Sequence, residues 1–258
     1  MKITRKEFLE LTGLSVLAAG AMHAVHAVKA EEAARPSTAQ ADPPKKQMAL
    51  AIDLRKCRQR PGCNLCSLAC HTTHNVPQFT DPRHEVKWIW NETFAEVFPL
   101  DQNGYTRRNY TGSPLPILCN HCDHPPCVEV CPTGATWKRP EDGVVMMDWH
   151  RCIGCKYCIT ACPYDARSFN FSDPRKALPR INPDFPTRTL GVVEKCDFCA
   201  ERLAKGEPPA CVEACPEKAI FFGDVLDASS EISIALEESY SIRRKPELGT
   251  GPNVFYFL

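Results

Sequence analysis

The first apolar run of the chain, Leu11 to Met22, follows Lys2, Arg5 and Lys6 and gives way to small residues around Ala24, Ala27 and Ala30. That order predicts an export signal over residues 1–30, because the run is shorter than the roughly 20 apolar residues needed to span a bilayer. Residues 31–47 are rich in Ala and Pro without apolar periodicity, which predicts a flexible leader ahead of a folded domain over 48–258.

Within the folded part the apolar runs are short. Val86, Trp88 and Trp90 alternate with Lys87 and Ile89 as in a strand, and Asn103-Gly104 between Ala95 to Phe98 and Tyr105 to Tyr110 is a hairpin signal. Residues 72–118 are therefore expected to hold a small antiparallel β insertion, its tryptophans packed in the core. Residues 164–193 carry Pro174, Pro179, Pro183 and Pro186 with little periodicity, which predicts an irregular proline-rich surface loop. Ala219 to Phe222 reads as a strand, Ser230 to Tyr240 as a helix capped by Asp227 or Ser229, and Val254 to Leu258 as a closing strand.

Composition changes this picture. With 16 Cys, 23 Pro and 13 Gly among 258 residues, the chain is loop-rich and must be held together by more than a large core. Lys and Arg (31) balance Asp and Glu (31), so there is no basic footprint for nucleic acid or for a membrane surface. Neither a G-x-G-x-x-G nor a G-x-x-x-x-G-K-[ST] run is present, and no catalytic pocket is indicated.

The cysteines fall into four groups with none left over: Cys57, Cys63, Cys66 and Cys70; Cys119, Cys122, Cys127 and Cys131; Cys152, Cys155, Cys158 and Cys162; Cys196, Cys199, Cys211 and Cys215. Each ends in x3-Cys. The third group, with Pro163, matches the bacterial ferredoxin run C-x2-C-x2-C-x3-C-P. Thiolates two residues apart let a tight loop wrap one face of an iron–sulfur cube, while the fourth stands a turn further on and, in two-cluster ferredoxins, reaches the neighbouring cluster. Disulfide scaffolds need no such endings, and the triplet Cys152, Cys155, Cys158 has one cysteine too many for half a zinc ribbon. Cys66-Ser-Leu-Ala-Cys70-His71 has one residue too many between its cysteines for a haem attachment site. His121 and His124 could replace thiolates as in Rieske centres, but no cysteine is missing, so they read as loop residues. Lys56, Arg151, Lys156 and Lys195 flank the cysteines, where a cation would offset cluster charge. All sixteen cysteines are candidate ligands of four 4Fe-4S clusters.

The chain also repeats itself. Cys127-Val-Glu-Val-Cys131-Pro echoes Cys211-Val-Glu-Ala-Cys215-Pro, and Ala51-Ile-Asp-Leu-Arg-Lys-Cys57 echoes Met146-Met-Asp-Trp-His-Arg-Cys152. The expected fold class is α+β, with two interlocked bacterial-ferredoxin-like units, each holding two clusters.

Cys119-Asn-His-Cys, Pro125-Pro-Cys-Val, Cys152-Ile-Gly-Cys-Lys-Tyr-Cys and Leu248-Gly-Thr-Gly-Pro-Asn-Val-Phe-Tyr resemble the four-cluster ferredoxin subunits of bacterial membrane-bound oxidoreductases. Within that superfamily, the opening Ala51 to Cys57, the x5 gap and His84-Glu-Val-Lys-Trp-Ile-Trp90 look most like DsrO, the periplasmic iron–sulfur subunit of DsrMKJOP complexes. Thr4 to Leu9 resembles the twin-arginine export motif, with Lys6 where the second arginine usually stands. The resemblance implies an NrfD-type quinone-interacting membrane subunit, a multihaem cytochrome c subunit and the other subunits of a DsrMKJOP-like complex as partners. It also implies a role between the quinone pool and dissimilatory sulfur chemistry. The alternative is the electron-transfer subunit of a molybdopterin oxidoreductase of polysulfide, nitrite or formate type. By the same resemblance Cys57, Cys63 and Cys66 share a cluster with Cys215, and Cys196, Cys199 and Cys211 with Cys70. Cys119, Cys122 and Cys127 take Cys162, and Cys152, Cys155 and Cys158 take Cys131.

Overall fold

The computed structural model describes residues 45–100, 104–113 and 115–258. The expected signal, most of the leader and Asn103 lie outside them. The described residues belong to one compact unit. Backbone pairing begins at Lys46, whose N–H donates to the Glu141 carbonyl, and Gln47 is buried, so the fold reaches into the last residues of the stretch expected to be a leader.

Strand β1 (Met48–Asp53) leads into helix α1 (Leu54–Cys57), with Asp53 as N-cap accepting from the backbone N–H groups of Arg55 and Lys56. Helix α2 (Leu65–Thr73) follows. Then come β2 (Ile89–Glu92), α3 (Phe94–Val97), α4 (Gly104–Tyr110) and β3 (Leu115–Leu118). The inner part holds α5 (Pro126–Glu129), β4 (Thr136–Lys138), β5 (Val145–Met147), α6 (Tyr157–Ala161), β6 (Ser168–Phe169) and β7 (Val193–Glu194). The chain closes with α7 (Ala200–Leu203), α8 (Ala210–Glu213), β8 (Ile220–Asp224), α9 (Glu231–Glu238), β9 (Ser241–Ile242) and β10 (Val254–Phe257). The result is a mixed α and β fold of short elements. Among the described residues no helix is long and apolar enough to cross a membrane.

The insertion differs from the expected hairpin. Its β element is real but pairs β2 with β3 antiparallel, Ile89 opposite Leu118, while the stretches flanking Asn103-Gly104 are helical. A capping box explains the first helix: Thr93 accepts from the Glu96 N–H and Glu96 reaches back to the Thr93 N–H. Phe94, Phe98 and Tyr110 then stack into the core with Trp88 and Trp90, a gain that a two-residue turn would not offer. The cap of α9 is Ser230, accepting from the Ser233 N–H, not Asp227 or Ser229; Asp227 instead holds Ser229 in the preceding turn. Residues 164–193 hold β6, which pairs with β7, and a 3-10 turn at Pro174–Ala177 and are otherwise irregular; they do not lie wholly on the surface as expected, because Tyr164, Arg167, Asn170, Phe185 and Arg188 are buried.

The main sheet has the order β8-β1-β10-β9, with β1 parallel to β10 and antiparallel to β8. Successive side chains of β1 point to opposite faces. Leu50 and Ile52 enter the main core, whereas Ala49 and Ala51 pack with Ile232 and Phe257 under α9. The C-terminal loop is tied to the second cysteine group: Asp123 and His124 donate N–H bonds to Gly251 and Thr250, and the Asn253 side chain donates to the His121 carbonyl. Gly251, at φ 62°, is required there, because a Cβ would meet Asp123 Oδ2 at 2.8 Å.

Candidate metal centres

The x3 spacing acts through short helices. Helix α2 carries Cys66 and Cys70 and packs against α8, which carries Cys211 and precedes Cys215. In the same way α5 with Cys127 packs against α6 with Cys158, and Cys131 and Cys162 follow one turn on. A separation of four residues is roughly 6 Å along a helix, so the third and fourth cysteines of a group face different spaces.

Three of those spaces are cavities. One is lined by Cys57, Cys63, Cys66 and Cys215; one by Cys119, Cys122, Cys127 and Cys162; one by Cys131, Cys152, Cys155 and Cys158. Cys70, Cys196, Cys199 and Cys211 form a fourth, fully buried set in which Cys70 feels the charge of the other three. The sets adjoin in a definite order: α2 carries both Cys66 and Cys70, His121 of the Cys119 loop stacks on Phe198 of the Cys196 loop, and α5 with Cys127 packs on α6 with Cys158. The sixteen cysteines thus meet in four sets of four, each with three members from one group and one from another.

The loops share one backbone device. The residue before the second cysteine has positive φ in every group: Gly62 (71°), His121 (43°), Gly154 (70°) and Phe198 (58°). Such a residue reverses the chain tightly enough to bring the flanking thiols together. At Gly154 the demand is absolute, since a Cβ would lie 2.4 Å from the Gly191 carbonyl oxygen.

The thiols show what their environment asks for. Burial, then the neighbouring thiols, pushes Cys57 up to about 12. Burial pushes Cys66 up to about 11 and Cys122 up to about 12, and drives Cys70 and Cys196 well above the ordinary range. Four soft sulfur donors converging on one space suit a compact multivalent cation, which would hold them as thiolates. Backbone N–H groups already point at sulfur: Ala210 to Cys199 at 3.4 Å and Ala219 to Cys215 at 3.3 Å. The donor sets fit 4Fe-4S clusters.

Of the flanking cations, only Lys195 is buried; its amine donates to the carbonyls of Val145 and of Cys196, the latter at 2.6 Å. Lys156 lies over Phe169 and Phe171, Lys56 over Phe221, and Arg151 pairs with Asp148. His121 is a loop residue, as expected, and is fully buried against Phe198. Arg167, which no spacing in the sequence singles out, donates to Cys127 Sγ at 3.0 Å. Its one signal is a lone arginine five residues past Cys162. On the other side, Asp197 is buried beside Cys196, and His74 bonds Glu201 at 2.9 Å next to Cys199.

Residues 111–225 match the 4Fe-4S dicluster domain family. Over 98% of its length the chain is 42% identical to the Hdr-like menaquinol oxidoreductase iron–sulfur subunit 1 of Archaeoglobus fulgidus, covering 97% of that protein. It belongs to the iron–sulfur subunits of membrane-associated oxidoreductases. It is also 37% identical to a tetrathionate reductase subunit of Salmonella typhimurium over 99% of this chain and 88% of that one. With the NrfC homologue of Haemophilus influenzae it shares 38% identity over 76% of this chain and 74% of that one. As a member of this family, the subunit transfers electrons, and its cofactor is the 4Fe-4S cluster, four to the chain.

Proposed function

We propose that the chain is a relay of four stations without a substrate site of its own, working outside the cytoplasm between a quinone-interacting membrane subunit and cytochrome c or another redox partner. The carrying observation is the order in which the cysteine sets adjoin through the shared helix α2, the His121–Phe198 stack and the packing of α5 on α6: the set with Cys57, then that with Cys196, then that with Cys119, then that with Cys152. We assign each set as the ligands of one cluster, which makes the fold two interlocked ferredoxin-like units. When bound, such a cluster takes up and gives back one electron at a time.

The protein's part is to hold, insulate and expose. The second station in the line consists of buried cysteines throughout, whereas the end stations reach the surface through Cys57, Cys63 and Cys215 on one side and Cys131, Cys152 and the exposed Cys155 on the other. Exposed apolar residues stand beside both ends, Leu65 and Leu68 at the first, Ile153 and Tyr157 at the last, as suits contact with partner subunits. Likeness to an iron–sulfur subunit of a menaquinol oxidoreductase supports the quinone link. The motifs shared with DsrO support membership of a DsrMKJOP-like complex with NrfD-type and multihaem cytochrome c subunits, serving dissimilatory sulfur metabolism.

A second reading has its own support. Relatives named as subunits of tetrathionate and arsenate reductases, 37% identical each, favour partnership with a molybdopterin subunit. Purification of the native complex, with metal analysis and identification of its subunits, separates the two. A multihaem cytochrome carries the first reading and a molybdopterin subunit the second; turnover of a small sulfur or nitrogen compound by the isolated subunit would overturn the relay. For export, Arg5→Gln with Lys6→Gln is expected to strand the protein in the cytoplasm, and normal extracytoplasmic levels would refute the twin-arginine route.

A further inference from the structure

Among the described residues three arginines are buried, Arg167, Arg188 and Arg244, and the two most enclosed differ in one respect. Arg188 is compensated: its guanidinium bonds the equally buried Glu194 carboxylate, with Nε to Oε2 at 2.7 Å, and lies over Trp88, Trp149 and Phe185. Arg167 is not. Only 3% exposed, it forms no ion pair with a carboxylate among the described residues, and its Nε has no hydrogen-bond partner.

What Arg167 faces is sulfur. One terminal nitrogen donates to Cys127 Sγ at 3.0 Å and to Thr136 Oγ1 at 2.9 Å, and the other reaches the Met147 sulfur at 3.8 Å. The guanidinium also bonds the Cys158 thiol. Cys127 and Cys158 line different cavities, so the guanidinium lies between the third and fourth stations. Thr136 anchors it there, donating its own hydroxyl hydrogen to the Met146 carbonyl at 2.7 Å. A lone buried cation costs several kcal/mol unless a negative group offsets it, and the only negative groups within reach are ligating sulfurs and what they hold. Among the described residues the set with Cys70 has no arginine on its sulfurs; beside it stand the buried Asp197 and the Glu201 carboxylate, the latter paired with His74 at 2.9 Å, and the Lys195 amine is taken up by backbone carbonyls.

We propose that Arg167 sets the reduction potentials of the two centres it lies between, raising both relative to the centre held by Cys70, Cys196, Cys199 and Cys211. Each reduction adds one negative charge to a centre, and a fixed cation in a low-dielectric interior stabilises the reduced form more than the oxidised one. Electrons passing along the line therefore fall towards the two stations that share Arg167. This inference rests on the assignment of one cluster to each cysteine set.

The test is a redox titration of the iron-loaded full chain followed by electron paramagnetic resonance, in Arg167→Gln, Arg167→Lys and Thr136→Val. With iron content intact, Arg167→Gln is expected to lower two of the four midpoints by at least a tenfold change in the reduction equilibrium, about 59 mV for one electron. Arg167→Lys is expected to restore most of the shift, and Thr136→Val, which loosens the anchor, to lower the same two by less. Full iron with all four midpoints unmoved, or with all four moved alike, overturns the role. Should Arg167→Gln lose iron, unmoved midpoints in Thr136→Val overturn it as well. The cluster assignment fails separately, if Cys158→Ser leaves all four signals unchanged.

Discussion

His121 and Phe198 stack face to face, ring centroids 3.6 Å apart and planes 19° from parallel, each immediately before the second cysteine of its own C-x2-C loop. Both carry positive φ, a conformation that costs a residue with a Cβ of order 1–3 kcal/mol. The stack offsets that cost and sets the distance between two loops from different cysteine groups. Burial, with Lys195 and Arg167 nearby, holds the His121 imidazole well below its ordinary range, so the ring is neutral and its Nδ1 accepts from the Val145 N–H at 3.0 Å.

Phe198→Ala is expected to cost about 3–5 kcal/mol, the usual penalty for emptying a buried phenylalanine site. The loss should appear as a lower melting temperature of the iron-loaded protein and faster release of iron to a chelator. Unchanged iron release would show that the stack does not secure the loops.

Cys215 should serve the first station, because its thiol lines the cavity of Cys57, Cys63 and Cys66. Cys215→Ser is expected to alter one resonance signal and to leave the one from Cys70, Cys196, Cys199 and Cys211 intact. Loss of the latter instead would place Cys215 with its own group.

Removing one partner of a buried ion pair strands the other. Glu194→Gln leaves the enclosed Arg188 charge uncompensated and is expected to destabilise the fold by about 3–5 kcal/mol. Asp81→Asn, at the exposed pair with Arg83, should leave stability almost unchanged. Denaturant titration of both variants reads the contrast, and equal effects would refute it.

Asp53 caps α1 next to Cys57. Burial raises its carboxyl, but the bond and charge of Arg55 and the N–H groups of Lys56 and Arg55 outweigh that and leave it below its ordinary value. Because the folded value is the lower one, the contribution is present above the unfolded value of about 3.9 and fades as pH falls through the folded one. Asp53→Ala is expected to cost about 1 kcal/mol at neutral pH, with the gap to the parent protein closing below that range. A penalty independent of pH would rule out the charged cap.

Much of the local structure was written in adjacent residues. The final strand, the strand after Cys215 and the helix after residue 230 were legible because a run of Val, Phe and Tyr or a helical spacing acts within one element. The Asn103-Gly104 signal misled because a hairpin needs flanking strands to pair, and Phe94, Phe98 and Tyr110 gain more by stacking in the core as helices. Arg167 and His121 were not legible as special, since nothing in their immediate neighbours says that both will be buried against sulfur or a distant ring.

The sequence by itself determined that sixteen thiols come in four groups, because the x2 and x3 gaps operate over a single loop or helical turn. Which groups share a space was decided only by tertiary structure. Register in the main sheet sets Ile52 opposite Ile220 and so brings Cys57 beside Cys215, while packing of α2 on α8 and of α5 on α6 directs the remaining fourth cysteines. Those contacts join residues far apart in the chain, and their free energy comes from burial summed over whole faces, which no short spacing encodes.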